Sequence, residues 1–131
     1  MGFRLKTSKK TKDIFEEIGA SSNLKPFALC KIAIGLSLQS DDDIELFKSD
    51  TNGVELQRAT VTGELDALYK CLMECYEEKH LTDDEYFPTH TKKHIDRGAA
   101  LLKSSYEYSG GNLPKFLNRV TNKGDASLWF I

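Results

Sequence analysis

The chain has 131 residues, of which 40% are hydrophobic and 29% charged, with a formal net charge of −2. That is one domain's length, residues 1–131, with enough apolar side chains to bury a core, which excludes intrinsic disorder. No apolar run approaches the roughly 18 residues of a spanning helix, and Met1-Gly2-Phe3-Arg4-Leu5-Lys6 lacks signal-peptide character, so a cytoplasmic protein with no membrane partner is expected.

Phe3-Arg4-Leu5-Lys6-Thr7 alternates apolar and polar, the period of a half-buried strand, with Phe3 and Leu5 on one side and Arg4 and Lys6 on the other. A helix is predicted over 9–18, with Ile14, Phe15 and Ile18 on one face, Ser8 as N-cap and Gly19 as a left-handed C-terminal cap. A second helix is predicted over 24–38, with Pro26 in its first turn and Ser22 or Asn23 as its cap. Leu24, Phe27, Leu29, Cys30, Ile32, Ile34, Leu36 and Leu38 cover most of its circumference. A helix apolar all round must be buried all round, which in so short a chain implies contact with a second subunit.

Residues 41–63 read as loop and short strand, with an Asn52-Gly53 turn between 44–47 and 54–61. Residues 63–79 carry the clearest helical period, through Leu65, Leu68, Tyr69, Leu72, Met73 and Tyr76. Thr82 and Glu85 form a capping-box pattern for a short turn that Pro88 ends. A helix follows over 91–106, stopped by Gly110-Gly111. A last short helix is expected over 113–120, then an apolar tail, Ser127-Leu128-Trp129-Phe130-Ile131, expected to dock. The predicted fold is mainly α, a short N-terminal strand followed by a helical bundle. The strand–helix–helix order of residues 3–38 is that of ribbon-helix-helix proteins, whose strands can face a DNA groove.

Charge is unevenly placed. Residues 1–35 hold seven Lys/Arg against three Asp/Glu, residues 41–85 four against fourteen, and residues 86–131 seven against three. A polyanion would approach the basic ends and avoid the middle. Arg4, Lys6, Lys9, Lys10 and Lys12 are five cations within nine residues, with no acid before Asp13. A solvated charged face is the ordinary reading of such a run. Favouring a phosphate-binding one, the cluster lies where an exposed strand face meets a helix N-terminus, whose free N–H groups also attract anions. Lys25, opening the second helix, joins the set by the same logic. With Phe3 the one aromatic in this stretch, duplex backbone binding is favoured over stacking on single strands. Lys92, Lys93 and Arg97 form a second basic patch that reads first as an ordinary helix face.

Cys30, Cys71 and Cys75 are an odd count without framework spacing and read as free thiols, Cys30 within the core. Cys71 and Cys75 with His90 and His94 make two i,i+4 pairs of zinc-ligand type, but Cys71 points away from the apolar face of its helix. Accidental spacing is the better explanation, and no metal or cofactor is expected. No Gly-rich phosphate loop, Gly-x-Ser-x-Gly or metalloprotease His pair occurs, and the acids at 41–43 and 83–85 lie in polar, loop-like stretches, so no catalytic centre is expected.

Two stretches go beyond general pattern. FRLKTSKKTKDIFEEIGASSNLKPFALCKIAIGLSL (residues 3–38) resembles the N-terminal half of the DndE family, DNA sulfur modification proteins. NGVELQRATVTGELDALYKCL (residues 52–72) resembles the Gly-x-Glu-x-x-Arg-x-Thr-x-Thr-Gly segment of that family, here Gly53, Glu55, Arg58, Thr60, Thr62 and Gly63. The resemblance implies a component of DNA phosphorothioation, in which sulfur replaces a non-bridging phosphate oxygen. It implies a homotetramer that binds double-stranded DNA, favouring nicks, through surface lysines and beside other Dnd proteins. The residues assigned to DNA on this reading are Arg4, Lys6, Lys9, Lys10, Lys12 and Lys25. The alternatives are a ribbon-helix-helix repressor, a scaffold whose basic face meets an acidic protein, and, disfavoured by the missing motifs, a hydrolase or nuclease.

Overall fold

A computed structural model describes residues 3–110 and Lys115. Two short strands and six α-helical segments are present among the described residues, and the mainly α architecture expected from the sequence is what forms. The predicted helix over 113–120 and the apolar tail at 127–131 lie outside the described residues, Lys115 excepted.

Strand β1 (Arg4–Lys6) pairs antiparallel with β2 (Glu55–Gln57), setting Arg4 opposite Gln57, Leu5 opposite Leu56 and Lys6 opposite Glu55. The residues at 44–47, which a hairpin would have paired with β2, instead form a 3₁₀ turn at Ile44–Leu46, because Asp43 caps it through the Glu45 N–H and Ile44 is buried. The Asn52-Gly53 turn delivers β2 to β1. Asp50 Oδ1 accepts from the Asn52 N–H at 2.9 Å, and the Gly53 N–H donates to Thr7 O at 2.9 Å. Gly53 is required by this approach, since a Cβ there would lie 2.2 Å from Ser8 O. Leu5 is buried as its alternation predicts, but Phe3, expected on the same side, is 63% exposed because it precedes the ladder.

Helix α1 (Lys9–Ser22) starts at the expected cap, with Ser8 Oγ accepting from the Thr11 N–H. It does not end at Gly19. Ser21 and Ser22 hydroxyls donate to the carbonyls of Glu17 and Ile18, extending the last turn, and Asn23 takes the left-handed cap at φ 62°. Helix α2 (Pro26–Leu38) begins one residue after Lys25, which occupies the N-cap without a side-chain bond; Ser22 and Asn23 serve the end of α1 instead. The all-round apolarity of α2 is met largely within the chain. Leu29, Cys30, Ala33, Ile34 and Leu36 are buried, mainly against α6 (Lys92–Tyr108) and α1, and Phe27 is its one exposed large apolar side chain.

Short α3 (Arg58–Val61) leads through a 3₁₀ turn into α4 (Asp66–Glu77). The α4 period is as predicted, but its burial is not: Met73 is buried, whereas Leu65, Leu68 and Leu72 are 51%, 48% and 43% exposed. A helical period reports that one face is apolar, not that its own chain covers that face. Thr82 and Glu85 form the predicted reciprocal capping box at α5 (Asp83–Glu85). Pro88 does not end this turn. It lies in a π-helical turn, Tyr86–Thr91, that runs on into α6, and a widened turn accommodates the missing proline N–H. The α6 helix crosses α2 at backbone contact distance: a Cβ on Gly98 would lie 1.8 Å from Ala33 O. Gly110, at φ 65°, follows the helix as predicted.

Candidate nucleic-acid interface

One buried carboxylate holds the basic corner in place. Asp96 of α6 is 3% exposed and accepts from the Ser8 N–H (3.1 Å) and Thr11 Oγ1 (2.6 Å) with one oxygen, and from Ser49 Oγ (2.6 Å) and Lys92 Nζ (2.5 Å) with the other. It therefore joins the start of α1, the loop before β2 and α6. A buried charge is tolerable where each lone pair is met and a counter-charge is present.

On that frame, Arg4 and Lys6 project outward from β1 while Leu5 faces the core, and Lys9 and Lys10 are exposed on the first turn of α1. Lys12 is half-buried beside a recess of about 110 Å³ that Thr7, Phe15, Glu16, Pro26, Val54 and Leu56 also line; Lys25 is exposed next to Pro26. Arg4 pairs with Glu55 at 3.8 Å, Lys9 with Asp13 at 3.7 Å and Lys12 with Glu16 at 3.9 Å. All three are long, exposed pairs of the kind worth well under about 1 kcal/mol, so a phosphate can displace them. Lys6, Lys10 and Lys25 have no ion pair among the described residues.

Two of the N–H groups expected to be free at the start of α1 are already bonded. Lys9 N–H donates to Asp50 Oδ1 at 2.9 Å, and Thr11 N–H is taken by Ser8. Those bonds, from Asn52 first and then Lys9, hold the Asp50 carboxyl below its usual range. Side-chain cations are therefore the main anion-binding groups here.

The second basic patch is dismantled by the structure. Lys92 is buried against Asp96. Arg97 is buried too, donating to Ser37 Oγ (2.8 Å), Ser37 O (2.6 Å), Asp42 O (2.7 Å) and Tyr76 Oη (2.9 Å). Lys93 Nζ reaches Glu45 O at 3.3 Å. These side chains tie α6 to α2 and to the acidic loop. Sequence alone missed this because the loop carbonyls that Arg97 binds leave no composition signal.

The Gly53–Gly63 segment is also structural where it can be traced. Arg58 donates to both oxygens of Asp66 (3.0 and 2.6 Å), lies 3.3 Å from Asp83 and stacks 4.9 Å over the Tyr86 ring. Burial opposes ionisation of Asp66, but bonds from Arg58, Thr62 and Tyr86 keep its carboxyl below the ordinary value. Gly63 turns the chain at φ 51° into the 3₁₀ turn that precedes α4.

The four zinc-type residues do not converge. Cys71 and Cys75 are exposed on α4, whereas His94 is buried with Nδ1 2.8 Å from Ser37 Oγ, its pKa pushed down to about 3 by burial. His90 is buried as well. Asp43, Glu45 and Glu77 bring carboxylate oxygens within 4.8 Å of one another, but Lys79 already bonds Glu45 at 2.8 Å. Burial, then Glu45 and Asp43, raise the Glu77 carboxyl. This acidic region repels a polyanion. No helix among the described residues is long and apolar enough to cross a membrane.

Together these features define a small, mainly α protein whose two-stranded N-terminal sheet and first helix turn present cations on a rigid base. The chain belongs to the DndE family, whose model, described as DNA sulphur modification protein DndE, matches residues 4–109. Its fold is similar to a crystal structure of DndE from Escherichia coli B7A involved in DNA phosphorothioation modification, at 18% identity and TM-score 0.59, covering 76% of this chain and 96% of that one. It is equally similar to a structure of a DndE mutant, at 18% identity and TM-score 0.60, covering 76% and 95%. No curated protein matches the chain.

Proposed function

We propose that this protein is a non-catalytic DNA-binding component of DNA phosphorothioation, acting beside other DNA sulfur modification proteins as a cytoplasmic homotetramer. It binds duplex DNA, nicked duplex preferentially, with Arg4, Lys6, Lys9, Lys10, Lys12 and Lys25 meeting phosphates. The observation that carries the reading is the outward projection of Arg4, Lys6, Lys9 and Lys10 from a corner anchored by Asp96, in a chain of this family. Backbone contacts of this sort bind without reading bases and weaken with salt. Preference for nicks follows from mechanics: a nick is a flexible joint, so bending the duplex over several subunits avoids the several kcal/mol an intact site requires. Exposed Phe27, Leu65, Leu68 and Leu72 support self-association. The repressor alternative loses ground because β1 finds its ladder partner in its own chain.

The test is affinity for nicked and intact duplexes of one sequence across a salt series, for the native chain and for Lys6→Glu/Lys10→Glu/Lys25→Glu. The triple variant should lose most binding, with a log–log salt slope shallower by about 0.9 per lost contact, and keep its assembly. Unchanged affinity would place the interface elsewhere; equal affinity for both duplexes would remove the nick preference.

A further inference from the structure

We propose that Asp43, Glu45 and Glu77 bind a hard divalent cation, of the calcium and manganese class, between the acidic loop and the end of α4. This stands apart from DNA binding. One carboxylate oxygen from each residue lies within 4.8 Å of the other two. Local structure brings them there. Asp43 caps the 3₁₀ turn, accepting from the Glu45 N–H at 3.0 Å, which holds both acids on one turn, and Glu77 is the last residue of α4. The loop before Asp43 is tied down as well, because Tyr76 Oη donates to Ser40 O at 2.9 Å and Arg97 to Asp42 O at 2.7 Å. Asp43 and Glu77 line an open recess of about 460 Å³ beside Tyr76.

Acids gathered on a surface are commonplace, but two buried groups single this set out. Glu77 Oε1 is buried and has no hydrogen-bond partner among the described residues, a costly state for a carboxylate oxygen that a cation would meet. His90 is 4% exposed, and its buried Nδ1 has no partner either. Its Nε2 faces Glu45 Oε1 at 4.0 Å, too far for a hydrogen bond. A buried imidazole aimed at a carboxylate across such a gap suits a water carried by an ion on that carboxylate. His90 comes from the π-helical turn Tyr86–Thr91, a widened turn of a kind frequent at functional sites. It is a positioning residue here, and the three carboxylates are the ligands. An all-oxygen set selects a hard ion. Oxygens on opposite sides of calcium stand roughly 4.6–5.2 Å apart, those on magnesium about 4.0–4.2 Å, so the observed spread favours the larger ion. Two cations lie close by. Lys79 Nζ holds Glu45 Oε1 at 2.8 Å, a contact between exposed side chains weak enough for a divalent ion to displace, and Lys93 Nζ takes the main-chain Glu45 O, not a carboxylate.

The experiment is titration of the metal-free full chain with manganese(II) chloride at physiological salt, read from the paramagnetic resonance signal of the free ion. The expected result is one manganese per chain with a Kd of about 0.1–1 mM, displaced by excess calcium chloride. Glu45→Gln and Glu77→Gln should each weaken binding about tenfold or more, and His90→Gln by a similar factor. Lys79→Met, which frees the Glu45 oxygen, should tighten it. Asp41→Asn removes the same charge from the same recess but lies outside the set, so it should change affinity by less than about twofold. Circular dichroism will show that the exposed Glu45→Gln leaves the fold intact, which keeps the test independent of the buried His90. Uptake that never saturates, retention of manganese in excess calcium, unchanged affinity in Glu45→Gln, or an Asp41→Asn loss equal to that of Glu45→Gln would each overturn the proposal.

Discussion

Removing the Asp96 carboxylate tests the frame under the basic corner. In Asp96→Ala, Lys92 is left as a buried ammonium, and the Ser8 N–H and the Thr11 and Ser49 hydroxyls lose their acceptor. Breaking one side of a buried ion pair costs about 3–5 kcal/mol, within which the loss of the neutral bonds accounts for about 1 kcal/mol each. Replacing both ends costs less, because no buried charge is then orphaned. Asp96→Ala/Lys92→Met should therefore regain about half of the loss. Urea unfolding at fixed protein concentration is the assay, read as the shift in midpoint at constant slope, since self-association adds its own concentration dependence. The single variant should also weaken DNA binding, because the start of α1 is no longer tied to α6 and to the loop before β2. A loss below about 1 kcal/mol for Asp96→Ala, or a double variant whose loss equals the sum of the two single losses, would refute the anchoring role.

Gly98→Ala gains about 1 kcal/mol of helix propensity but places a methyl 1.8 Å from a backbone oxygen that cannot rotate aside. The net effect is destabilisation by about 2 kcal/mol or more, and a higher melting temperature would contradict the close α2–α6 crossing. Lys93→Glu should leave DNA affinity within about twofold of native, well inside one contact's worth, because Lys92 and Arg97 are buried and Lys93 reaches the acidic loop at Glu45 O; a gel-shift titration decides. Stability should fall as pH drops below the unfolded-state value of His94. That value is 6.5, and the folded pKa is depressed to about 3, so the unfolded chain takes up a proton that the folded chain refuses. The penalty grows by about 1.4 kcal/mol per pH unit. His94→Gln, which can keep a bond to Ser37, should flatten the loss between pH 7 and pH 5 by about 2 kcal/mol; an identical pH profile for both chains would remove His94 as its source.

Local features could be read from the sequence because their causes are local. The Ser8 cap, the Thr82/Glu85 capping box, the α4 period and the stop at Gly110 each depend on residues a few positions apart. The Gly53–Gly63 pattern was also visible, and with it the resemblance to the family. What a residue meets across the fold was not visible. Lys92, Lys93 and Arg97 make a basic stripe by spacing, yet Lys92 and Arg97 are interior struts, because Asp96 and the carbonyls of Ser37 and Asp42 lie opposite them. The apolar stripe of α4 faces outward because α2 already takes α6 and α1 as its partners. Residues 8 and 96 are separated by 88 positions, and their bond organises the candidate site. Propensity and period act over one or two helical turns, so the sequence determined which elements form and which of their faces are apolar. Burial and ion pairing depend on which distant side chains arrive at the same place, and those were decided by the tertiary structure alone.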